Sequence, residues 1–587
     1  MSEKPTYYLA LTIGPIYKTI ERARKTRELW GASFLLSQFM RCLLEKLVDG
    51  EFGEALSPDL SELRSGKTWH GAGIWNDNCY FKIHDGQAEN LKKNLPKIIT
   101  DVKKEIIGLA LYDLEQEKKK LEFSREKLEV IFAQHFHCHA VLVERPANTT
   151  KPILEHLREL TASAEMRDLY PARHDDFVSR AMSRGAAIKG LYHLGFADDD
   201  PIFTFYKNRF DNFKTERRLP SLLEIGLREF KREPKLYQIV EETVSKYSQQ
   251  DDDAETDEEN QEIIGRLKDP NENVGLMEFK KRHKYVAVVQ SDGDGVGKLI
   301  SGQTVEVKIQ EISKALMAFS TAAVEKIVAF DGLPVYAGGD DLLFFAPLQN
   351  KDGDNIFKLL EDIQAVFPAR DFSGKTSVSF GVSIFYYKYP LGEALENGRE
   401  LLNRLAKKLA FQRKGDTTRL EKNALAFRVM LHAGQSFAAV LRQDGETWRH
   451  WKNLIGLHAK QDVAFVSGVV YSLERLGWLL EQACEASTTE AFFDHHFNEA
   501  KNSTRWSFVQ AVRQLAEAIH QEYGSLKIEP TAEKHFFQSH IHFPEDFWEG
   551  TEEESEKRRT QCLTEFRNNL LYSALRMIQF LNADDHE

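Results

Sequence analysis

Lys284-Tyr285-Val286-Ala287-Val288-Val289-Gln290-Ser291-Asp292-Gly293-Asp294-Gly295 is the stretch on which the fold turns. Its apolar run reads as a buried strand, and the run ends on carboxylates set between glycines. One strand–helix unit later the pattern returns. Leu333-Pro334-Val335-Tyr336-Ala337 leads into Gly338-Gly339-Asp340-Asp341, and Leu342-Leu343-Phe344-Phe345 follows as the return strand of a hairpin. Carboxylates between buried strands are costly to desolvate unless a cation neutralises them. If the two strands pair, both turns reach one place and offer hard oxygen ligands to one or two Mg²⁺-like ions. That suits nucleotidyl transfer, in which cations lower the pKa of an attacking hydroxyl and hold a triphosphate. Asp292, Asp340 and Asp341 are therefore the candidate catalytic and metal-holding residues, with Gly293 and Asp294 beside them. Gly338 and Gly339 permit the positive φ that the second turn needs. Neighbours on a regular strand point to opposite faces, which leaves open that one of Asp340 and Asp341 stands behind the other.

Working outward, Glu306–Phe330 sets Ile309, Ile312, Leu316, Ala323 and Ile327 at helical spacing for one buried face. A strand Thr376–Tyr387 and a helix from about Leu391 to Phe411 follow the hairpin. The order β-α-β-β-α-β is the ferredoxin-like split unit used by polymerase and cyclase palms. The N-terminal part reads as a worn copy. It has a strand Tyr7–Ile13 running into Gly14-Pro15, a helix Trp30–Leu47, and Gly73-Ile74-Trp75-Asn76-Asp77-Asn78-Cys79-Tyr80-Phe81 in the hairpin slot. A helix of about Lys93–Phe132 and a strand Phe136–Val143 complete it. That copy keeps only Asp77 at its second turn, so one of two palms has lost its metal ligands.

The expected architecture is α+β: a degenerate first palm over 1–148, a mainly helical intervening domain over 149–274, a second palm over 275–435 and a helical domain over 436–587. The acidic run Asp251–Glu259 reads as a solvated linker within 249–263. In the last domain Phe508, Val512, Leu515 and Ile519 mark a helix over Arg505–Tyr523.

Composition narrows the partners. The 587 residues exceed one core, and 42% hydrophobic with 29% charged residues describe an ordinary globular protein. No apolar run approaches the roughly 18–20 residues that cross a bilayer, and no secretory signal opens the chain, so a cytoplasmic protein is expected. Five scattered cysteines lack any Cys-x-x-Cys, which argues against a disulfide framework or a zinc ribbon. A net charge of −12 weakens, without excluding, a nucleic-acid partner.

Other motifs have plainer readings. Asp292-Gly-Asp-Gly-Val-Gly-Lys298 is neither a P-loop nor a dinucleotide fingerprint, because its glycines fall at 293, 295 and 297. Lys298 remains a candidate phosphate neighbour. Lys407 and Lys408 lie on a solvated helix face, or Lys407 meets the triphosphate. Arg22, Arg24, Lys25 and Arg27 form a solvated face or bind nucleotide or nucleic-acid phosphate. His135, His137 and His139 alternate on one strand, where a half-buried strand explains them better than a metal. The pairs His84-Asp85 and His174-Asp175 lack the further ligands of a metallophosphohydrolase.

Together these residues resemble the large palm-bearing subunit of type III-B (Cmr-type) CRISPR–Cas effector complexes. The likeness rests on Ile13-Gly-Pro-Ile16, Ala23-Arg-Lys-Thr-Arg-Glu-Leu-Trp30-Gly-Ala-Ser33, Asp292-Gly-Asp294 with Gly297-Lys298-Leu-Ile-Ser-Gly302, and Gly338-Gly-Asp-Asp341. Ser379-Phe-Gly381, Tyr389-Pro390-Leu391 and Asn423-Ala-Leu425 through Gly434 extend it. The resemblance implies a nucleotidyltransferase that uses ATP with Mg²⁺ or Mn²⁺ to make a second messenger, cyclic oligoadenylate, when guide RNA pairs with target RNA. It implies backbone, small and guide-tag-binding subunits as partners, and no membrane. It assigns metals to Asp292, Asp340 and Asp341, with Asp294 nearby, and phosphate to Lys407. A second nucleotide falls to Gly14 and the Arg24–Arg27 segment. The chain opens directly on the first palm, so no HD nuclease domain and no DNA cleavage by this subunit are expected; the cysteine zinc site of many relatives is also missing. S-adenosylmethionine as acceptor of AMP is the alternative product chemistry. A catalytically vestigial scaffold and a stand-alone diguanylate cyclase are the competing readings; the latter expects Glu and Phe where Asp341 and Leu342 stand.

Overall fold

The structure is a computed structural model that describes residues 5–585, apart from 22, 117–125, 127–129, 131–132, 146–149, 167–185, 208–214, 248–256, 273–276, 370–371, 373, 375, 413–418, 458–462, 502, 504 and 525–551. Two runs of strand, helix, strand, strand, helix and strand occur along it. The first comprises β1 (Thr6–Gly14), a helix Thr26–Asp49, β2 (Gly53–Ser57), β3 (Asn78–Ile83), a helix Ala88–Gln116 and β4 (His137–Arg145). The second comprises β5 (Tyr285–Asp294), a helix Glu306–Ala329, β6 (Leu333–Gly338), β7 (Asp341–Pro347), a helix Ile356–Val366 and β8 (Ser377–Tyr386). Two further strands follow, β9 (Ala424–Met430) and β10 (Ser436–Arg442). The α+β class and the repeated palm order are as the sequence implied.

The chain divides into two compact units. The first unites Met1–Val274, Gly295–Ser377 and Pro390–Glu393. Its four-stranded sheet runs β2-β3-β1-β4, with β1 antiparallel to both β3 and β4. β1 is central because Leu9, Ala10 and Leu11 are buried on both faces. The helix Thr26–Asp49 packs Trp30 against Phe34 at 5.1 Å, and the Trp30 indole donates to the Gly71 carbonyl at 2.7 Å. β6 and β7 form a hairpin whose last pair is Gly338 with Asp341. The expected hairpin over Gly73–Phe81 needs correcting. β3 pairs with the distant β2, while Gly73 forms a parallel bridge to Tyr336. Gly73 does so because β6 offers free backbone groups: Gly73 N–H donates to the Val335 carbonyl at 3.2 Å, and Ala337 N–H to the Gly73 carbonyl at 2.9 Å.

The intervening stretch is mainly helical but includes a two-stranded ribbon, Thr204–Lys207 with Thr215–Arg218. The acidic linker is also corrected in part. Residues 248–256 lie outside the described residues, but Asp257–Lys268 is a helix. Its Glu259 is buried against the Arg218 guanidinium, so this carboxylate is structural and not solvated. Part of the expected Lys93–Phe132 helix, and the His174-Asp175 pair, likewise lie outside the described residues.

The second unit unites Gly275–Asp294, Val378–Tyr389 and Ala394–Glu587. Its strands run β10-β9-β8-β5, with β9 parallel to β8 and antiparallel to β10. β10 was expected within the helical domain; its alternation was masked by the apolar content of Phe437–Leu441. The helix Arg505–Tyr523 has the expected bounds and buries Phe508, Val512, Leu515 and Ile519. The Tyr523 hydroxyl accepts from Arg442 N–H at 3.0 Å, fastening that helix to β10. No helix among the described residues is long and apolar enough to cross a membrane.

Candidate active site

The acidic turn at the end of β5 is built from the second unit alone. Asp292 and Asp294 are two residues apart on an extended strand and so share a face. Their environments differ. Asp294 is buried, and its Oδ2 accepts from Ser379 Oγ at 2.7 Å and from Asn423 N–H at 3.0 Å. Ser379 Oγ in turn accepts from Ala424 N–H at 3.3 Å, so β8 and the start of β9 clamp this carboxylate. Asp292 keeps 37% of its side chain exposed and carries the Lys407 ammonium on its Oδ2. The same Nζ donates to the Gly293 carbonyl at 3.2 Å and lies 4.0 Å from Asp294 Oδ1. Three oxygens of the Asp-Gly-Asp turn thus surround one cationic nitrogen.

Lys407 reaches this position because its helix stops being regular. Leu391–Glu400 is α-helical, Leu401–Leu405 forms a π turn and Ala406–Lys408 a 3₁₀ turn. Such irregular turns recur at functional sites. The expected helix to Phe411 is therefore shorter, and Lys407 lies past its end. Gly381 on β8 permits the approach: a Cβ there would lie 2.3 Å from the Gly398 carbonyl oxygen and 2.6 Å from Leu402 N. Gln290 Nε2 adds a bond to the Leu395 carbonyl at 2.7 Å. Gly381→Ala is expected to cost about 1–3 kcal/mol by overpacking. Its urea midpoint should fall; an unchanged midpoint would show that the helix does not need this contact.

The Gly-Gly-Asp-Asp hairpin belongs to the first unit. Gly339 adopts φ +68°, and its carbonyl accepts from the buried Ser320 hydroxyl at 2.9 Å. The Tyr336 hydroxyl packs over Gly338, where an added Cβ would lie 2.0 Å from it. Asn76 of the first palm faces both glycines, with its Oδ1 2.9 Å from a Cβ at Gly338 and its Nδ2 3.1 Å from one at Gly339. The surviving acid of the worn copy therefore stands beside the intact turn. Burial pushes the Asp77 carboxyl above its ordinary value, although Asn78 donates to it at 2.8 Å. Tyr336 is raised well above its ordinary value by burial first, then by Asp77, Asp341 and Asp340.

The remaining candidates are dispersed. Lys298 is exposed on the short helix Val296–Ser301, which Arg158 braces through the Gly297 carbonyl at 3.0 Å and Ser301 Oγ at 2.8 Å. Gly14 lies against the His137 ring, whose Nε2 would be 2.5 Å from a Cβ. Its lack of a side chain is thus explained by that histidine. Arg24 is exposed, but its backbone N–H donates to Glu28 Oε2 at 2.8 Å. Glu28 supplies the negative charge favoured at this helix start, and burial raises its own carboxyl. Arg27 is partly buried beside it. His135 bonds Thr19 at 2.9 Å, and the rings of His137 and His139 are 5.1 Å apart. Among the described residues no group of three or more His, Cys, Asp or Glu side chains is poised to hold a metal ion. Sequence reasoning gave no role to Asn76, Ser320 or Tyr336. It quoted Ser379 and Asn423 only as parts of a resemblance.

The chain thus carries two palm-like repeats, the second with one acidic turn at the end of β5 and another between β6 and β7. Residues 285–416 match the family described as Cas10/Cmr2, second palm domain, and residues 8–103 match CRISPR-associated protein Cmr2, N-terminal. In these two regions the chain is similar to the Cas10/Cmr2 large subunits of CRISPR systems. The CRISPR system Cmr subunit Cmr2 of Pyrococcus furiosus is 33% identical over 160 residues, a match spanning 23% of this chain and 18% of that protein. A type III-B Cmr-beta structure bound to cognate target RNA has the same fold at 11% identity, with a TM-score of 0.55, over 89% of this chain and 79% of that one.

Proposed function

We propose that this chain is a metal-dependent nucleotidyltransferase within an RNA-guided type III-B complex, and that it joins adenylates from ATP into cyclic oligoadenylate. The observation that carries the reading is the set of three turn oxygens gathered around the Lys407 ammonium. A carboxylate, a backbone carbonyl and a second carboxylate are hard donors that fit Mg²⁺ or Mn²⁺. In this reading Asp292 holds an ion, and Asp340 and Asp341 are proposed as further metal ligands. Divalent cations bound there would supply Lewis acidity to the attacking hydroxyl and the transferring phosphoryl group.

The other residues orient and bind. Asp294, clamped by Ser379 and Asn423, fixes the turn so that Asp292 presents its oxygens without reorganisation. Gly338 and Gly339 let the hairpin backbone come close to a triphosphate, with Lys298 as a neighbouring positive charge. The apposition of Asn76–Asp77 to the glycine turn supports a site with two nucleotide halves, as condensation of two adenylates requires. Gly14, Arg24 and Arg27 are the proposed contacts of the second nucleotide. Guide RNA, target RNA and the other subunits of the complex are the proposed partners.

Assembled complex incubated with target RNA, labelled ATP and Mg²⁺, with and without S-adenosylmethionine, tests this by mass spectrometry of the small molecules. Cyclic oligoadenylate is expected only with target RNA. An AMP–S-adenosylmethionine adduct would keep the transfer and overturn the product; no adenylate product at all would leave a scaffold.

A further inference from the structure

Lys407 was expected to meet phosphate, yet its ammonium rests on the carboxylate that the proposed function gives to a metal. We propose that Lys407 is an exchangeable counter-ion: it and a divalent cation compete for the same Asp292 oxygens, and the lysine yields them by transferring its charge to the triphosphate. Metal and nucleotide then enter together, because each makes room for the other. The inference rests on the metal-site reading above.

Three observations support the exchange. The first is charge. Nζ contacts Asp292 Oδ2 and the Gly293 carbonyl and stands 4.0 Å from Asp294 Oδ1, in a site where only 15% of the lysine side chain is exposed. A divalent ion on Asp292 would face that ammonium across a few ångströms of poorly solvated space, so the two repel. The second is mobility. A lysine is a compact charge on a flexible stem, and this one leaves a 3₁₀ turn after a π turn, past the end of the regular helix. Its ammonium can swing while the strands stay fixed. The third is that the partners cannot follow. Asp294 is held by Ser379 and Asn423, and Asp292 stands two residues before it on the same strand. The lysine, on its long flexible stem, is the partner that can leave, and a triphosphate offers its ammonium another anion.

Reciprocity is the consequence: whatever weakens Lys407 on Asp292 strengthens metal binding by the same factor. Mn²⁺ binding to the full chain, read by loss of the free-ion electron paramagnetic resonance signal without nucleotide, tests this. Lys407→Met should bind Mn²⁺ about tenfold tighter than the wild type, within the range usual for coupled sites. Lys407→Arg, which keeps the charge, should bind as the wild type does. Asp292→Asn should abolish the tight site in either background. Lys407→Gln replaces the methionine variant if that variant fails to fold, as judged by its thermal midpoint. Equal Mn²⁺ affinity in the wild type and Lys407→Met, with loss in Asp292→Asn, would overturn the exchange and leave the metal site standing. Absence of Mn²⁺ binding in the wild type and both neutral variants would overturn both.

Discussion

Asp292→Asn is expected to lower adenylate transfer by the assembled, RNA-activated complex by about a thousandfold or more, while the chain keeps its fold. The size follows from the several kcal/mol that a metal contributes to charge stabilisation, at about 1.4 kcal/mol per factor of ten. The fold survives because the Asp292 side chain is partly exposed and its ion pair is with the flexible Lys407. Asp340→Asn with Asp341→Asn should have an effect of the same order. Adding Asp292→Asn to that pair should change little more, because residues that act as a unit are not additive. Asp294→Asn is a different experiment. It loses the charge that Ser379 and Asn423 clamp, so it should lower the unfolding midpoint as well as the rate. Mass spectrometry of the product with a parallel urea titration separates the two. Wild-type product from Asp292→Asn would remove the chemistry from this turn.

The largest stability effect is expected far from the site. Arg218 bonds Glu224 Oε1 at 2.6 Å and also Glu259, and both acids are almost wholly buried. Arg218→Met removes the guanidinium that the two buried carboxylates share, and breaking a buried ion pair in this way typically costs about 3–5 kcal/mol. In the wild type, burial pushes the Glu224 carboxyl up, but the Arg218 charge and the bonds around it bring it net below its ordinary 4.5. A carboxyl lowered on folding stabilises the folded chain above its unfolded pKa, and this is lost as pH falls through the depressed value. In Arg218→Met the guanidinium that offsets burial is gone and only the Thr204 and Ser221 bonds still oppose it, so the sign is expected to reverse and Glu224 to gain by protonation. The deficit should therefore be larger at pH 7 than near pH 4, read as urea midpoints. A deficit independent of pH would mean that Arg218 acts through packing.

How far the fold could be read along the chain depended on the range of the signal. The strands β1, β5 and β8 and the helix Glu306–Ala329 are marked by apolar runs or by helical spacing, and the structure has them within a few residues of expectation. The hairpin β6–β7 was legible from its two glycines. β10 and the Thr204–Arg218 ribbon were not, because short strands beside helical segments carry too little alternation. The acidic run misled for a related reason. Composition predicts solvation for Asp257-Glu258-Glu259, whereas Arg218, 41 residues away, takes Glu259 into the interior.

By itself the sequence determined the order of elements, the repeated palm pattern and the acids that end its strands, because hydrophobic period and glycine turns are properties of neighbouring residues. Which oxygens meet which partners was decided only by tertiary structure. Asp294 accepts from Ser379 and Asn423, 85 and 129 residues on, and Asp292 is held by Lys407, which lies between those two in the sequence. Asn76 reaches Gly338 from the other palm. Local patterning has no term for such pairs; packing the strands and cutting the helix short before Lys407 brings them together, and with them the difference between a carboxylate that anchors and one that can bind.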